Sequence, residues 1–347
     1  MYKVYDVDTL RAERRSRTIE VDVPYVLNGE MKTVPKKIIN GEMEIFEFDR
    51  SVGEMLTTPA GLENIIQKSV IDLELGKEAV PLLYTPIYRR IEDANFTQHV
   101  DVGAFVGAQV VFLEHLELED VKFGSRRLGA KDTVPIITYA AGLEWTEDMV
   151  LYDKTWEMAE GNRAMGESYN ALLNHIHLYP IINFNYAAKN KTAADAAGAT
   201  LLEKMRNTIK AALIHASQDK NTDTKAPRRP NILLAHSSRR WDIEESLQRM
   251  QIGGTLYPAI SQIDTIIYYD GWSTLVGEKT YSYDGVNTGK AYLIEGQKYF
   301  RELVKHDLRI DATGGDLKKL IENAVVGRAR RGVLASPANS VEEITLP

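Results

Sequence analysis

Lys298 to Pro347 reads KYFRELVKHDLRIDATGGDLKKLIENAVVGRARRGVLASPANSVEEITLP: two β-like runs, an acidic-basic hinge between them and a closing Ser-Pro-Ala segment. Upstream, EDMVLYDKTWEMAEGNRAMGESYNALLNHIH, Glu147 to His177, reads as one long helix entered from the strand-like VPIITYAAGLEW. Thr146 is placed to cap it, and Glu147 and Asp148 fall in the first turn, where the helix dipole favours acids. Leu151, Met158, Met165 and Leu172 recur every seven residues, with Tyr169 and Ile176 on the same stripe. A second seam would need apolar groups at Lys154, Gly161 and Ser168, so a coiled coil is not expected. At 1.5 Å per residue the helix is about 45 Å long. Gly161 and Gly166 weaken its middle by about 1 kcal/mol each and mark a bend or a close contact. Pro180 is expected to end it.

The sequence before and between these two stretches alternates β and α character. Residues 18–48 read as β-structure around the turn dipeptides Asn28-Gly29 and Asn40-Gly41, and MEIFEFD alternates apolar with acidic side chains. This is too little apolar material for a stable unit, so an extended arm lying on another surface is expected. Thr57-Thr58-Pro59 opens the helical run GLENIIQKSVIDLEL, with Ile65, Ile66, Val70, Ile71 and Leu73 on its apolar side; Pro81 ends it, and LLYTPIYRRI follows as a strand. Residues 95–137 alternate without helix signals and read as a long two-stranded excursion that includes HLELED. Ala193–Ser217 reads as a helix on Leu201, Leu202, Met205, Ile209 and Leu213. NILLAH is a buried strand, Ser237 caps the helix SSRRWDIEESLQRM, and KTYSYDGVNTGKAYLIEG reads as a hairpin around Asp284-Gly285 and Asn287–Gly289.

Composition narrows the function. The 347 residues leave room for two or three compact units, and 44% hydrophobic content supports a buried core. The absence of cysteine excludes a disulfide framework, a thiolate metal site and a cysteine nucleophile, and fits a reducing cytoplasm. A net charge of -7 argues against a protein that coats DNA through phosphate neutralisation. No stretch is long and apolar enough to span a membrane, and the N-terminal MYKVYDVDTLRAERRSRTIEVDV has no signal core. Its Arg11, Arg14, Arg15 and Arg17 alternate with acids, as in a solvated segment or an arm that pairs with a neighbour.

Motifs for catalysis fail at their diagnostic positions. Gly76-Lys77 is followed by Glu78 and Gly289-Lys290 by Ala291, so neither is a phosphate loop, and no G-x-S-x-G elbow occurs. Gly314-Gly315 precedes a helical run and reads as a turn. His175 and His177 lie on different faces of the helix, a poor metal pair, and read instead as helix C-terminal cations. Asp219, Asn221 and Asp223 begin like a calcium loop, but Thr224 and Pro230 stand where Gly and Glu are needed. No catalytic, cofactor or metal residue is therefore assigned. Adjacent arginines recur at 14–15, 89–90, 126–127, 228–229, 239–240 and 330–331, dispersed rather than gathered as a nucleic-acid patch. Arginine suits bidentate pairing with carboxylates. Arg89, Arg90, Arg126, Arg127, Arg239, Arg240, Arg330 and Arg331 are therefore candidate inter-subunit contacts, with solvated surface charge as the plainer alternative. Arg126-Arg127 is favoured because the ribbon places it near a tip.

Strand, long isolated helix, mixed central region and returning terminal strand follow the order of one viral architecture. In layout the chain resembles the major capsid (coat) proteins of tailed double-stranded DNA phages, with the HK97-like fold. The resemblance implies an α+β chain with an N-terminal arm (1–55) and a peripheral domain (56–94 and 138–190) holding the spine helix 147–177. It further implies an extended loop (95–137) reaching over the adjacent protomer, an axial domain (191–295), and a return to the peripheral domain (296–347). It implies pentamers and hexamers closing into an icosahedral shell around DNA that is enclosed without sequence-specific binding, in a virion assembled in the host cytoplasm. A separate scaffolding protein, a portal protein at one vertex and room for a decoration protein follow, with no membrane contact, cofactor or enzymatic activity. An acidic lining would keep packed DNA from adhering. Lys122 and Lys131 lie in the excursion, but no motif assigns them crosslinking partners, and no crosslink is expected. An encapsulin-like compartment shell is the alternative, and a cytosolic α/β enzyme working through Glu114 and Glu117 the third reading.

Overall fold

The computed structural model describes residues 3–5, 19–27, 30–39, 42–43, 59–103, 131–146, 155–218, 227–252, 255–276, 278–316 and 321–347. The chain opens with β1 (Lys3–Tyr5), the hairpin β2 (Ile19–Leu27) and β3 (Glu30–Ile39), and β4 (Glu42–Met43). Helix α1 (Pro59–Ala79) leads to β5 (Arg89–Glu92) and to β6 (His99–Gly103) and β7 (Lys131–Pro135), which pair as the base of a ribbon. Next come β8 (Ile137–Thr146), helix α2 (Thr155–Ile182), β9 (Lys191–Thr192), α3 (Leu201–Gln218), β10 (Ile232–Ala235) and α4 (Arg240–Leu247). The hairpin β11 (Met250–Ile252) and β12 (Thr255–Tyr257), β13 (Thr265–Tyr268), the hairpin β14 (Gly271–Val276) and β15 (Lys279–Asp284), and β16 (Lys290–Ile294) follow. The chain closes with the long pair β17 (Phe300–Asp316) and β18 (Ile321–Ala335), α5 (Pro337–Ser340) and β19 (Val341–Thr345).

Two sheets organise these elements. One is ordered β4-β3-β2-β17-β18-β8, with β5 also on β17; the other is β1-β13-β10-β16-β19-β9. The tail quoted above therefore serves both: β17 and β18 form the centre of the first sheet, and β19 pairs with β16 in the second. Helices α1 and α2 cover one face of the first sheet through Ile65, Ile66, Val70, Met158, Met165, Ile310 and Val325. A second core, around Leu173, Leu178, Ile181, Ile232, Tyr292 and Phe300, joins α2 to both sheets.

Helix α2 departs from expectation at its C-terminal end. Thr146, the expected cap, is the last residue of β8, and 147–154 lie outside the described residues. Pro180 does not end the helix, which runs to Ile182. The proline removes a single backbone bond near the last turn, and the complete burial of Leu178 and Ile181 outweighs that loss. The buried stripe holds Met158, Met165 and Tyr169 as expected, with Leu173 rather than Leu172 continuing it. Asn170 and Asn174, also buried, work for the neighbouring helix. Asn170 Nδ2 donates to the carbonyls of Lys77 (2.6 Å) and Val80 (2.8 Å), and Asn174 Nδ2 donates to that of Pro81 (3.0 Å). Carbonyls left open at the end of α1 are thus satisfied across the helix pair.

Other expectations are corrected in turn. The arm surface expected for the first residues is, over 19–39, the chain's own: β2 and β3 join the first sheet and bury Tyr25, Leu27 and Val34 against α1. Residues 82–88 form a buried turn segment rather than a strand, and only Arg89–Glu92 is extended. The helix expected from Ala193 begins at Leu201, because Thr200 and Glu203 form a reciprocal capping box: Thr200 Oγ1 accepts from the Glu203 N–H (3.2 Å) and Glu203 Oε2 from the Thr200 N–H (3.1 Å). The helical run expected after Gly314-Gly315 is instead β18, fixed by pairing on both sides with β17 and β8. The expected hairpin around 284–289 is a corner; Lys279–Asp284 pairs backwards with Gly271–Val276.

The two glycines of α2 differ in kind. A Cβ on Gly166 would lie 2.1 Å from the Leu73 carbonyl oxygen, and one on Gly76 would lie 1.9 Å from that of Arg163, so the helix backbones touch there. A Cβ on Gly161 would make ordinary contact, 3.4 Å from Leu143. Gly166→Ala is accordingly expected to lower stability by about 2–3 kcal/mol through forced separation of the helices. Gly161→Ala should raise it by up to about 1 kcal/mol. Urea melts of the unassembled variants, read by far-ultraviolet circular dichroism, check the opposite signs.

Candidate assembly surface

A strand turns successive side chains to opposite faces, and this divides two of the arginine pairs. In β18, Val325, Gly327, Ala329 and Arg331 are buried while Arg328 and Arg330 are exposed. Arg331 is only 1% exposed. Its guanidinium pairs with Glu302, reaches Asp307 Oδ1 (2.7 Å) and donates to Tyr169 Oη (2.5 Å) on α2. Arg90, itself exposed, meets this network from its open side, donating to Asp307 Oδ2 (2.9 Å) and pairing with Glu92 (2.5 Å). The expectation that Arg331 is an inter-subunit contact is corrected: a buried guanidinium needs partners within its own chain, and it has them. Burial works against ionisation of Asp307, but Arg331, Arg90 and Lys77 together hold its carboxyl well below the usual range. Burial pushes the Glu302 carboxyl up, against the pull of Arg331 and Arg90.

The outward members of these pairs are different. Arg89, on β5, is exposed and sits in register beside Arg301; Arg330 is exposed opposite His306. Neither Arg89 nor Arg330 makes an ion pair among the described residues. At the other sheet, Arg239 donates to the carbonyls of Thr288 (3.2 Å) and Pro347 (3.3 Å), securing the C-terminal residue. Arg240 pairs with Glu244 (2.9 Å) one turn along α4. Arg126, Arg127, Glu114, Glu117, Lys122 and the Asp219–Asp223 loop lie outside the described residues.

Two ribbons stand out from the sheets. The base of the first, β6 and β7, lies across the outer face of β18: a Cβ on Gly332 would be 2.7 Å from the Pro135 oxygen. Val134 and Leu303 close a small core there with Phe96, Ile136 and Leu334. The second ribbon, β14 and β15, was not legible as a hairpin, although Gly277 between Val276 and Glu278 is a turn signal. Its end presents Leu275 (67% exposed) and Val276 (61%). Its base is held to α2, where Trp272 stacks on Tyr283 (4.3 Å) and donates Nε1–H to the Ala171 carbonyl (3.3 Å).

His175 and His177 do not act as helix-end cations. His177 is fully buried, its ring stacked on Tyr84 at 3.6 Å and its Nδ1–H donating to the Leu173 carbonyl (2.7 Å). Burial, with Arg331 nearby, pushes its pKa down to about 3, so the ring is neutral. His175 is likewise lowered by burial and packs against Tyr179 and Tyr283.

No protein-family profile and no curated protein matches the chain. Solved structures do match. The capsid of Myoviridae phage XM1 superposes with a TM-score of 0.50 at 9% identity, over 76% of this chain and 92% of that one. The mature capsid of bacteriophage PhiM1 does so with a TM-score of 0.50 at 7% identity, over 76% and 87%. At such identities the likeness defines the fold: the chain is an α+β protein with the HK97-like capsid fold.

The split of the arginine pair is directly measurable. Arg331→Met takes the ion-pair partner from the buried Glu302 and is expected to cost about 3–5 kcal/mol. Arg330→Met, one residue away, should stay within about 0.5 kcal/mol in the unassembled chain. Chemical denaturation of both variants checks the contrast.

His177 adds a pH dependence. Its folded pKa lies below the unfolded value, so the unfolded chain binds the extra proton, and this contribution is lost as pH falls from about 6.5 toward 3. Between pH 7 and 5 the loss is on the order of 2 kcal/mol. His177→Phe keeps the stacked ring without the titration, and its urea midpoint should fall less over that interval than the wild type's.

Proposed function

We propose that this chain is a major capsid protein whose copies assemble as pentamers and hexamers into an icosahedral shell around double-stranded DNA. The HK97-like fold carries this reading. The paired strands β6 and β7, seated on the outer face of β18, support it as the described part of the extended loop. The proteins of like fold are capsids rather than enzymes, and the role proposed here is structural. The long helix and first sheet, with 56–94, 138–190 and 296–347, serve as the peripheral domain; 191–295 serve as the axial domain; 95–137 are the extended loop and 1–55 the arm. The shell belongs to a virion assembled in the host cytoplasm, with a scaffolding protein, a portal protein at one vertex and room for a decoration protein. DNA is enclosed without sequence-specific contacts.

Negative-stain electron microscopy of the overexpressed chain, alone and with its neighbouring genes, tests this. Closed shells, tubes or rings of five and six subunits are expected. A small, monodisperse particle under every condition would overturn the reading, and shells filled with a protein cargo would replace it with a cellular compartment.

A further inference from the structure

The two sheets are not closed off alike. The second stops at β1, three residues long, and at β9, two residues long; the first stops at β4, also two residues long, and at β8, which has ten. Short edge strands leave little unpaired backbone for another chain to join. β8 has no such protection. Its sequence ITYAAGLEWT holds neither proline nor a basic residue, and Glu144 is its one charge. Among the described residues β18 is its one strand partner, so every second N–H and C=O on the far edge lacks a strand to bond. Thr138, Ala140, Ala141 and Gly142 are exposed, and Ile137 is 47% exposed. An open slot of about 130 Å³ between β8 and α2, lined by Tyr139, Ala141, Met165 and Leu172, leaves apolar surface uncovered beside that edge.

An added strand completes such an edge, because its backbone groups bond in register with the free ones. β8 is complementary to itself. A two-fold axis perpendicular to the sheet sets two copies of the strand antiparallel and keeps their α2-covered faces on the same side, as a closed layer requires. With the axis at Gly142, Tyr139 of each copy falls opposite Trp145 of the other, Ala141 opposite Leu143, and Thr138 opposite Thr146. Aromatic pairs and threonine pairs are favourable cross-strand neighbours. Glu144 falls opposite Ala140, so the strand's one charge does not meet its own copy. One strand in from the edge, Arg328 stands beside Ala140 and Arg330 beside Thr138. Glu144 of the other copy is thus in line with a charge of opposite sign.

Building on the shell reading, we propose that β8 of one copy pairs antiparallel with β8 of a second copy across a two-fold axis at Gly142, joining two first sheets into one. The contact is isologous, so each copy gives and receives the same bonds. It links copies pairwise, which neither a ring of five nor a ring of six does by itself.

The chain has no cysteine, so introduced thiols report the register directly. A Cβ on Gly142 would lie 3.5 Å from Val326 Cγ2, an ordinary contact, and Gly142→Cys is expected to fold. On the axis its thiols meet at a Cα separation of about 4.5–5.5 Å, within what a disulfide accepts. Thr138→Cys places them about 27 Å apart, eight residues of strand, and is the control. Oxidised particles of Gly142→Cys should run as dimers on non-reducing denaturing gels, and those of Thr138→Cys should give about tenfold less dimer. Adding Ala141→Lys to Gly142→Cys charges the exposed edge and should cut the dimer about tenfold, with the urea midpoint of the unassembled chain unchanged. Shells of Gly142→Cys that stay monomeric on the gel would overturn the pairing and leave the shell reading intact. Equal dimer from Thr138→Cys, or a disulfide to the product of a co-expressed neighbouring gene in place of the dimer, would also overturn it. Gly142→Cys dimers from a chain that never closes into shells would uphold the pairing and remove the shell reading instead.

Discussion

The Arg331 guanidinium is the point on which the first sheet and helix α2 are aligned. A charge buried there is tolerable only when it is paired and hydrogen-bonded. Its partners come from separate elements: Glu302 and Asp307 from β17, and Tyr169 from α2. Asp307 sits where the β17–β18 register shifts between Val304 and Arg309, and such an irregularity re-aims a side chain. Here it brings the carboxylate within reach of Arg331, Arg90 and the Tyr169 hydroxyl. Tyr84 extends the network from the turn after α1, donating to Glu302 (3.0 Å) while its ring stacks on His177. Sliding α2 along the sheet by one residue would unpair several of these groups together, so the network fixes register where apolar packing alone would tolerate a slip.

The α1–α2 contact works under the same rule. Gly76 and Gly166 let two backbones meet, which places Asn170 and Asn174 against the carbonyls at the end of α1. A side chain at either glycine would push those amides out of range. Close approach and polar satisfaction are therefore a single constraint, and they make α1, α2 and the long strand pair one rigid block. Both ribbon bases are mounted on that block, one over Gly332 and the other through Trp272 on α2.

What could be read from the sequence follows from the range of the interactions involved. Asn28-Gly29 marked the β2–β3 hairpin because a turn of that kind is a local event. The helix stripe through Met158, Met165 and Tyr169 was legible because periodicity reports a buried face. Residues 321–324, at the end of a run rich in good helix formers, are strand instead, because β8 pairs with them from far along the chain. Pro180 misled for the same reason: a local rule was outweighed by burial of Ile181. The arginine doublets were visible, but not their division. Only the strand assignments of 89–92 and 321–335 show that Arg331 faces the core and Arg330 solvent, and that Arg90 turns toward Asp307 while Arg89 turns away.

That division changes what the net charge means. A value of -7 averages over surfaces that do not face the same neighbours. On the solvent side of α2, Glu160 and Glu167 are exposed and Glu157 half-buried, whereas the far side of the same sheet carries Arg89, Arg328 and Arg330. The first sheet and its helices thus carry exposed acids on the α2 side and exposed arginines on the opposite side. In a closed shell one side of such a layer faces the lumen, and the sign of that side, not the sum over the chain, sets how enclosed DNA is treated. An acidic helix side turned inward would repel the phosphates and leave the basic side to contacts between copies. A shell built this way needs no globally basic protein, only consistent orientation of every copy.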